Sequence, residues 1–153
     1  MADPSPALVA IYLRPGARHP TVEKQSALAV ADVGLDGDHA HGGKRQVTLL
    51  SLESWRLACA ELGRDLEPSI RRANLLVSGL QLESSIGGVI TIGEVVLDIL
   101  GETRPCELID DGGRTGLQQA LRPQRRGGVY GRIRSGGKLT VGMECRLSLP
   151  PPS

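Results

Sequence analysis

Residues 89–100 read VITIGEVVLDIL. Val89–Ile92 and Val95–Leu100 are short runs of β-branched and aliphatic residues, and Gly93-Glu94 between them has the chemistry of a tight turn, so the stretch predicts a β-hairpin. The same grammar recurs on both sides. Strands are predicted at 8–13, ended by Arg14-Pro15-Gly16, at 26–33, at 46–50 and at 74–78. Toward the C-terminus, 129–134, 138–141 and 145–149 read as closing strands, with Ser135-Gly136-Gly137 as the turn between the first two. One convincing helix breaks the pattern at 52–62, with Ser51 as N-cap, Glu53 in the positive first turn and Gly63 as terminator. Pro68 opens a helical turn ending near Arg72, and 117–121 reads as another before Pro123. Eight or nine short strands with one or two helices predict a mainly β, barrel-like fold of antiparallel strands.

Composition agrees. The 153 residues contain 20 Gly and 10 Pro, with five Gly-Gly pairs at 42, 87, 112, 127 and 136. That is the punctuation of many turns rather than of a helical bundle. There is no Phe, one Trp and two Tyr, so Leu, Val, Ile and Ala must build the core. A chain of this length buries roughly two-thirds of its unfolded surface and folds without disulfides or a structural metal. The expected organisation is one domain over 7–149 with flexible termini at 1–6 and 150–153. No leader pattern or membrane-length apolar run is read, and three irregularly spaced cysteines do not make a disulfide framework. A reducing, cytoplasmic setting is expected, with no membrane partner.

The cysteines sort by surroundings. Cys59 falls in a helical stripe with Leu52, Trp55 and Leu62, and Cys145 shares one side of a strand with Leu147 and Leu149. Both read as core filler, since a free thiol behaves as a small apolar group. Cys106, in GETRPCE (101–107), follows a proline amid charge and is expected to be kept for its chemistry. The thiolate is the nucleophile and the soft metal ligand. Arg104 is the nearest cation in sequence and Arg126 one that folding could bring close, while Glu102 and Glu107 act in the opposite sense.

Charge is segregated around this thiol. Residues 94–111 hold six acids and one base, and 121–140 hold six bases and no acid. A solvated face is the ordinary reading of such runs. Arg125-Arg126-Gly127-Gly128, however, offers guanidinium forks and bare amides at one turn, a combination suited to phosphate. Arg71-Arg72-Ala73-Asn74 is a second candidate anion contact. Net charge is only +1 and three aromatics are too few for a base-stacking surface, so nucleic acid is not an expected partner. The chain has no glycine-rich nucleotide loop, no C-x-x-C and no H-E-x-x-H. His39-Ala40-His41 could touch a metal, but a polar loop is the stronger reading.

Four segments together resemble the MOSC domain family, named for the C-terminal part of molybdenum cofactor sulfurases. They are GLDGDHAHGGKRQVTLL (34–50), RRANLLVSG (71–79), TRPC (103–106) and RGGVYGRIRSGGKLTV (126–141). The resemblance implies a functional cysteine at Cys106, as a molybdenum ligand through the molybdenum cofactor or as a sulfur carrier. It also implies a pterin and phosphate pocket near Gly37, Asp38, Arg72 and Asn74. With the turn and cysteine arguments, the candidate cofactor contacts are Gly37, Asp38, Arg72, Asn74, Arg104, Arg126, Gly127 and Gly128. Two departures stand out. Gly142-Met143 replaces a Gly-Asp of many relatives, and Thr103 replaces a second cysteine, so a local dithiol pair is impossible. The family is associated with pyridoxal phosphate through a lyase domain not read here, so a cysteine desulfurase or an electron-donor protein is the expected partner. The expected functions are cofactor sulfuration or molybdenum-dependent reduction of N-hydroxylated compounds. The alternatives are a metal-free persulfide carrier and a non-catalytic interaction domain.

Overall fold

A computed structural model describes residues 5–150. Most of the termini expected to be flexible therefore lie outside the described residues. Eleven strands form: β1 (Ala7–Leu13), β2 (Val22–Lys24), β3 (Ser26–Val30), β4 (Gly34–Leu35), β5 (Val47–Ser51), β6 (Leu75–Ser78), β7 (Val89–Ile92), β8 (Val95–Glu102), β9 (Val129–Ser135), β10 (Gly137–Thr140) and β11 (Cys145–Ser148). Two helices, α1 (Leu52–Leu62) and α2 (Leu117–Leu121), and four 3-10 turns complete the chain. No helix among the described residues is long and apolar enough to cross a membrane.

The mainly β expectation holds, with two refinements. Eight strands form a mixed sheet in the order β11-β7-β8-β9-β5-β6-β1-β2, and β10-β3-β4 form a second, smaller sheet. The β5–β6 pair is parallel, because α1 and the 3-10 turn at Pro68–Arg71 carry the chain back across the sheet. The large sheet curls until the start of β1 meets the residues before β11. Leu8 N–H donates to Met143 at 2.9 Å, Gly142 N–H donates to Leu8 at 2.8 Å, and Ala7 bridges to Glu144. That contact is a single bridge rather than a ladder, so the sheet is barrel-like without being a closed barrel.

Two apolar clusters explain the strand sequences. Leu8, Ile11, Leu49, Leu75, Ile92 and Leu97 belong to the core inside the curled sheet. Ala10, Tyr12, Leu50 and Leu76 face the other way and pack with Trp55, Cys59 and Leu121 of the helices. The central strands β1, β5 and β6 are thus buried on both faces, which is why they read as unbroken apolar runs. Helix α1 begins and ends as predicted. Ser51 Oγ accepts from Ser54 N–H at 3.1 Å, and Gly63 adopts a left-handed φ of +66°.

Three sequence expectations needed adjustment. The strand predicted over 26–33 stops at Val30, because Val33 N–H turns back to the Val30 carbonyl and β4 then pairs with β3. Strands β9 and β10 follow each other in sequence but belong to different sheets, β10 pairing with β3 instead. Leu149 lies past the end of β11 and is exposed, so it does not share the burial of Cys145. Strand β2 was not foreseen, being a fully exposed, charged three-residue edge without alternation.

Candidate functional site

The cysteines separate as their sequence surroundings indicate. Cys59 and Cys145 are buried and Cys106 is exposed. Burial, followed by the charge of Glu144, pushes the Cys145 thiol up to about 12. Cys106 leaves the sheet just after β8, at the entry to the 3-10 turn Glu107–Asp110, and its carbonyl accepts from Ile109 N–H at 3.1 Å.

Cys106 lines a cavity of about 370 Å3 together with Arg14, Arg45, Arg71, Arg72 and Arg104. This volume lies in the range of small-molecule sites. Five arginines share this cavity with one thiol, and they come from four places in the chain. Arg14 follows β1, Arg45 precedes β5, Arg71 and Arg72 precede β6, and Arg104 follows β8.

Consecutive arginines are sent to different walls. Arg72 closes the 3-10 turn with φ +62°, its N–H on the Ser69 carbonyl. Its guanidinium donates to the carbonyls of His19, Gly16 and Ala17, the last two at 3.2 and 3.3 Å. Arg71 instead donates from Nε to the Gly127 carbonyl at 2.9 Å and from Nη2 to the Thr103 carbonyl at 2.8 Å. Burial lowers the Arg71 guanidinium below its ordinary value. The nearby Cys106 side chain opposes that shift, and the Arg45 guanidinium adds to it. Arg71 thus stands within electrostatic reach of both.

Behind this wall is a satisfied polar hub. Asn74 is fully buried at the start of β6. Its amide nitrogen donates to the Tyr12 carbonyl and to Asp38 Oδ1, each at 3.1 Å, and its oxygen accepts from Thr48 N–H at 3.1 Å. Asp38 in turn accepts from Arg14 N–H at 2.7 Å and from Arg14 Nη2 at 3.0 Å. Burial works to raise the Asp38 carboxyl, but the bonds from Arg14 together outweigh it and hold the group below the usual carboxylate range. Gly37, with φ +92°, delivers Asp38 to this position. Gly37, Asp38 and Asn74 therefore support the cavity through Arg14 rather than lining it.

Of the arginine–glycine turn, Gly127 lines the cavity and Arg126 does not. Arg126 Nη1 pairs with Glu61 of α1 and donates to the Ala120 carbonyl at 3.0 Å, on the helical side. Arg125 likewise reaches the Glu83 carbonyl. Gly128 is structural. A Cβ there would lie 2.2 Å from the Leu49 carbonyl oxygen, so only glycine lets the turn approach β5 this closely. Thr103 is buried, and its hydroxyl donates to the Gly127 carbonyl at 2.8 Å. Of the basic run, Arg132 pairs with Asp32 and Arg134 with Asp98, the solvated-face behaviour expected of such a run.

Sequence reasoning missed Arg14 and Arg45 as lining residues; of the Arg71-Arg72 pair it singled out Arg72, and both line the cavity, whereas Arg126 does not. Arg14 was read as part of a turn, and nothing local in Lys44-Arg45-Gln46 marks an inward position. Arg71 was visible only as half of an arginine pair, whose split requires the left-handed conformation of Arg72.

These features define a class: a mainly β protein with one accessible thiol in an arginine-lined cavity beside a glycine turn. The sequence profile of the MOSC domain matches residues 36–146, and the chain belongs to the MOSC domain family. Among solved structures it is similar to the YUAD protein from Bacillus subtilis, with a TM-score of 0.79 at 19% identity, covering 94% of this chain and 95% of that one. It is also similar to YiiM from Escherichia coli, with a TM-score of 0.71 at 18% identity over 98% of this chain and 73% of that one. YiiM from Geobacillus stearothermophilus gives a TM-score of 0.73 at 13% identity, over 94% and 75%. At these identities the likeness is one of fold. A search of curated proteins gives no match.

Proposed function

We propose that the Cys106 cavity binds the molybdenum cofactor, with Cys106 as the protein's soft ligand to its metal or as the sulfur carrier serving it. The observation that carries this reading is the convergence of five arginines on the only exposed cysteine. The donor set fits the group. Among the described residues, no cluster of three or more His, Cys, Asp or Glu is placed to hold a metal. A metal at Cys106 would therefore have to bring most of its coordination sphere with it, as a pterin dithiolate does. The same ligand is anionic, and guanidinium groups match its phosphate and sulfur charges. Cys106 would supply a thiolate, Arg71 and Arg104 the positive surround, and the Gly127 turn close backbone approach. When bound, the cofactor would supply oxygen-atom or sulfur chemistry at molybdenum.

Protein purified from cells that make the cofactor is expected to carry molybdenum, and Cys106→Ser is expected to lose most of it. Equal molybdenum in the two proteins, or none in the wild type, contradicts the ligand role.

A second reading, a persulfide carrier without resident metal, is favoured by the exposure of Cys106 and the burial of the other two thiols. The Cys106 thiolate would attack the terminal sulfur of a desulfurase persulfide, and the donor cysteine would leave as thiolate. With Thr103 three residues before it, Cys106 has no adjacent thiol to discharge that sulfur. This reading predicts a gain of about 32 Da, one sulfur, on Cys106 after incubation with a desulfurase and cysteine. The same mass on Cys59 or Cys145 instead would count against it.

A further inference from the structure

The five arginines of the cavity are not equally free. Arg14 is committed to Asp38, Arg71 to the Gly127 and Thr103 carbonyls, and Arg72 to three carbonyls after β1. Arg104 stands 3.9 Å from Glu102, which offsets its charge. Arg45 differs. Among the described residues its guanidinium donates to no protein acceptor and pairs with no carboxylate. Its partner is the ring of Tyr130, whose centroid lies 4.7 Å from Arg45 Cζ.

That contact is built in from below. Tyr130 on β9 sits between its register partners Thr48 on β5 and Gly101 on β8. A Cβ on Gly101 would lie 2.5 Å from the Tyr130 hydroxyl oxygen and 2.7 Å from two ring carbons. The ring thus lies against bare backbone, and Arg45 covers it. The chain beside Arg45 is also fixed. Gln46 N–H donates to the Gly131 carbonyl at 3.0 Å, its side-chain nitrogen donates to the Gly43 carbonyl at 2.9 Å, and its side-chain oxygen accepts from Ile133 N–H at 3.0 Å.

An arginine laid on an aromatic ring keeps a planar fork, is weakly hydrated and loses less side-chain entropy when it binds. We infer that Arg45 is the residue that grips the anionic group of the cavity's ligand, a phosphoryl or similar oxyanion, and that Tyr130 is its positioning residue. The inference rests on the reading of this cavity as a binding site, but not on molybdenum.

Calorimetric titration with inorganic pyrophosphate tests it without the cofactor. The wild type is expected to bind one equivalent, and Arg45→Ala to weaken binding about tenfold or more, the worth of a charge-assisted hydrogen-bond pair. Arg45→Lys should recover only part of that loss, because an ammonium lacks the fork. Tyr130→Leu should weaken binding with Arg45 still present, whereas Tyr130→Phe should bind like the wild type. Arg45 is exposed, so unfolding curves of its variants should overlay the wild type. The inference is overturned by no saturable binding to the wild type, by an Arg45→Ala affinity within about twofold of it, or by a larger loss in Arg72→Ala. Molybdenum content separates the two claims. Arg45-dependent pyrophosphate binding in a protein that takes up no molybdenum upholds this inference and ends the cofactor reading. A molybdenum-loaded protein whose pyrophosphate affinity ignores Arg45 does the reverse.

Discussion

At the scale of single residues, the cavity separates into groups that line it and groups that hold those in place. Cys106 is the exposed thiol of the cavity, while Asp38 and Asn74 hold Arg14 from behind. Asp38 has its carboxyl depressed by Arg14, so its contribution to stability is present above the unfolded carboxylate range and is lost as pH falls through the lower folded value. Urea unfolding between about pH 5 and pH 3 should therefore show a steep loss of stability in the wild type and a shallower one in Asp38→Asn. At neutral pH, Asp38→Asn should cost about 3 kcal/mol, because Arg14 keeps its charge without a partner. Equal pH slopes in the two proteins would show that the pair does not control acid stability. Cys145 shows the opposite sign. Its raised value means that stability is full below the unfolded thiol range and falls as pH climbs toward about 12. Under native conditions at pH 8 only Cys106 should react with iodoacetamide; alkylation of Cys145 at a similar rate would contradict its burial. This sorting of the cysteines was legible in sequence, because periodicity reports burial. The role of Arg45 was not, because its only partner lies 85 positions away on a strand that becomes its neighbour by folding.

At the scale of elements, the turn between α2 and β9 is the joint on which the cavity depends. Its Gly127 carbonyl collects Arg71 Nε and the Thr103 hydroxyl, and Gly128 passes against Leu49. Gly128→Ala should lose about 3 kcal/mol or more, since a Cβ would meet backbone that cannot move and φ is +104° there. Thermal unfolding close to the wild type would remove this turn from the account. Thr103→Val should cost about 1 kcal/mol, because the Gly127 carbonyl keeps its bond to Arg71. The positions of most strands and the limits of α1 were readable from turn chemistry and capping. The direction of Arg126 was not. A run of basic residues says where charge is dense, whereas its pairing with Glu61 depends on α1 packing beside that turn.

At the scale of the molecule, an eight-stranded sheet curls over one core and carries a helical layer on its outer face. The cavity opens where β1, β5, β6 and β8 bring five arginines together. The mainly β character followed from alternation and glycine-rich punctuation. The parallel β5–β6 pair and the transfer of β10 to the small sheet did not, because both are set by crossovers that leave no local signature. The proposed occupation of this cavity by the molybdenum cofactor against Cys106 is tested most directly by the alkylation rate of that thiol with and without the isolated cofactor. Cys106 is expected to react readily in the free protein and to be protected about tenfold or more at saturating cofactor, as when about nine-tenths or more of the sites are filled. An unchanged alkylation rate at saturating cofactor would contradict it.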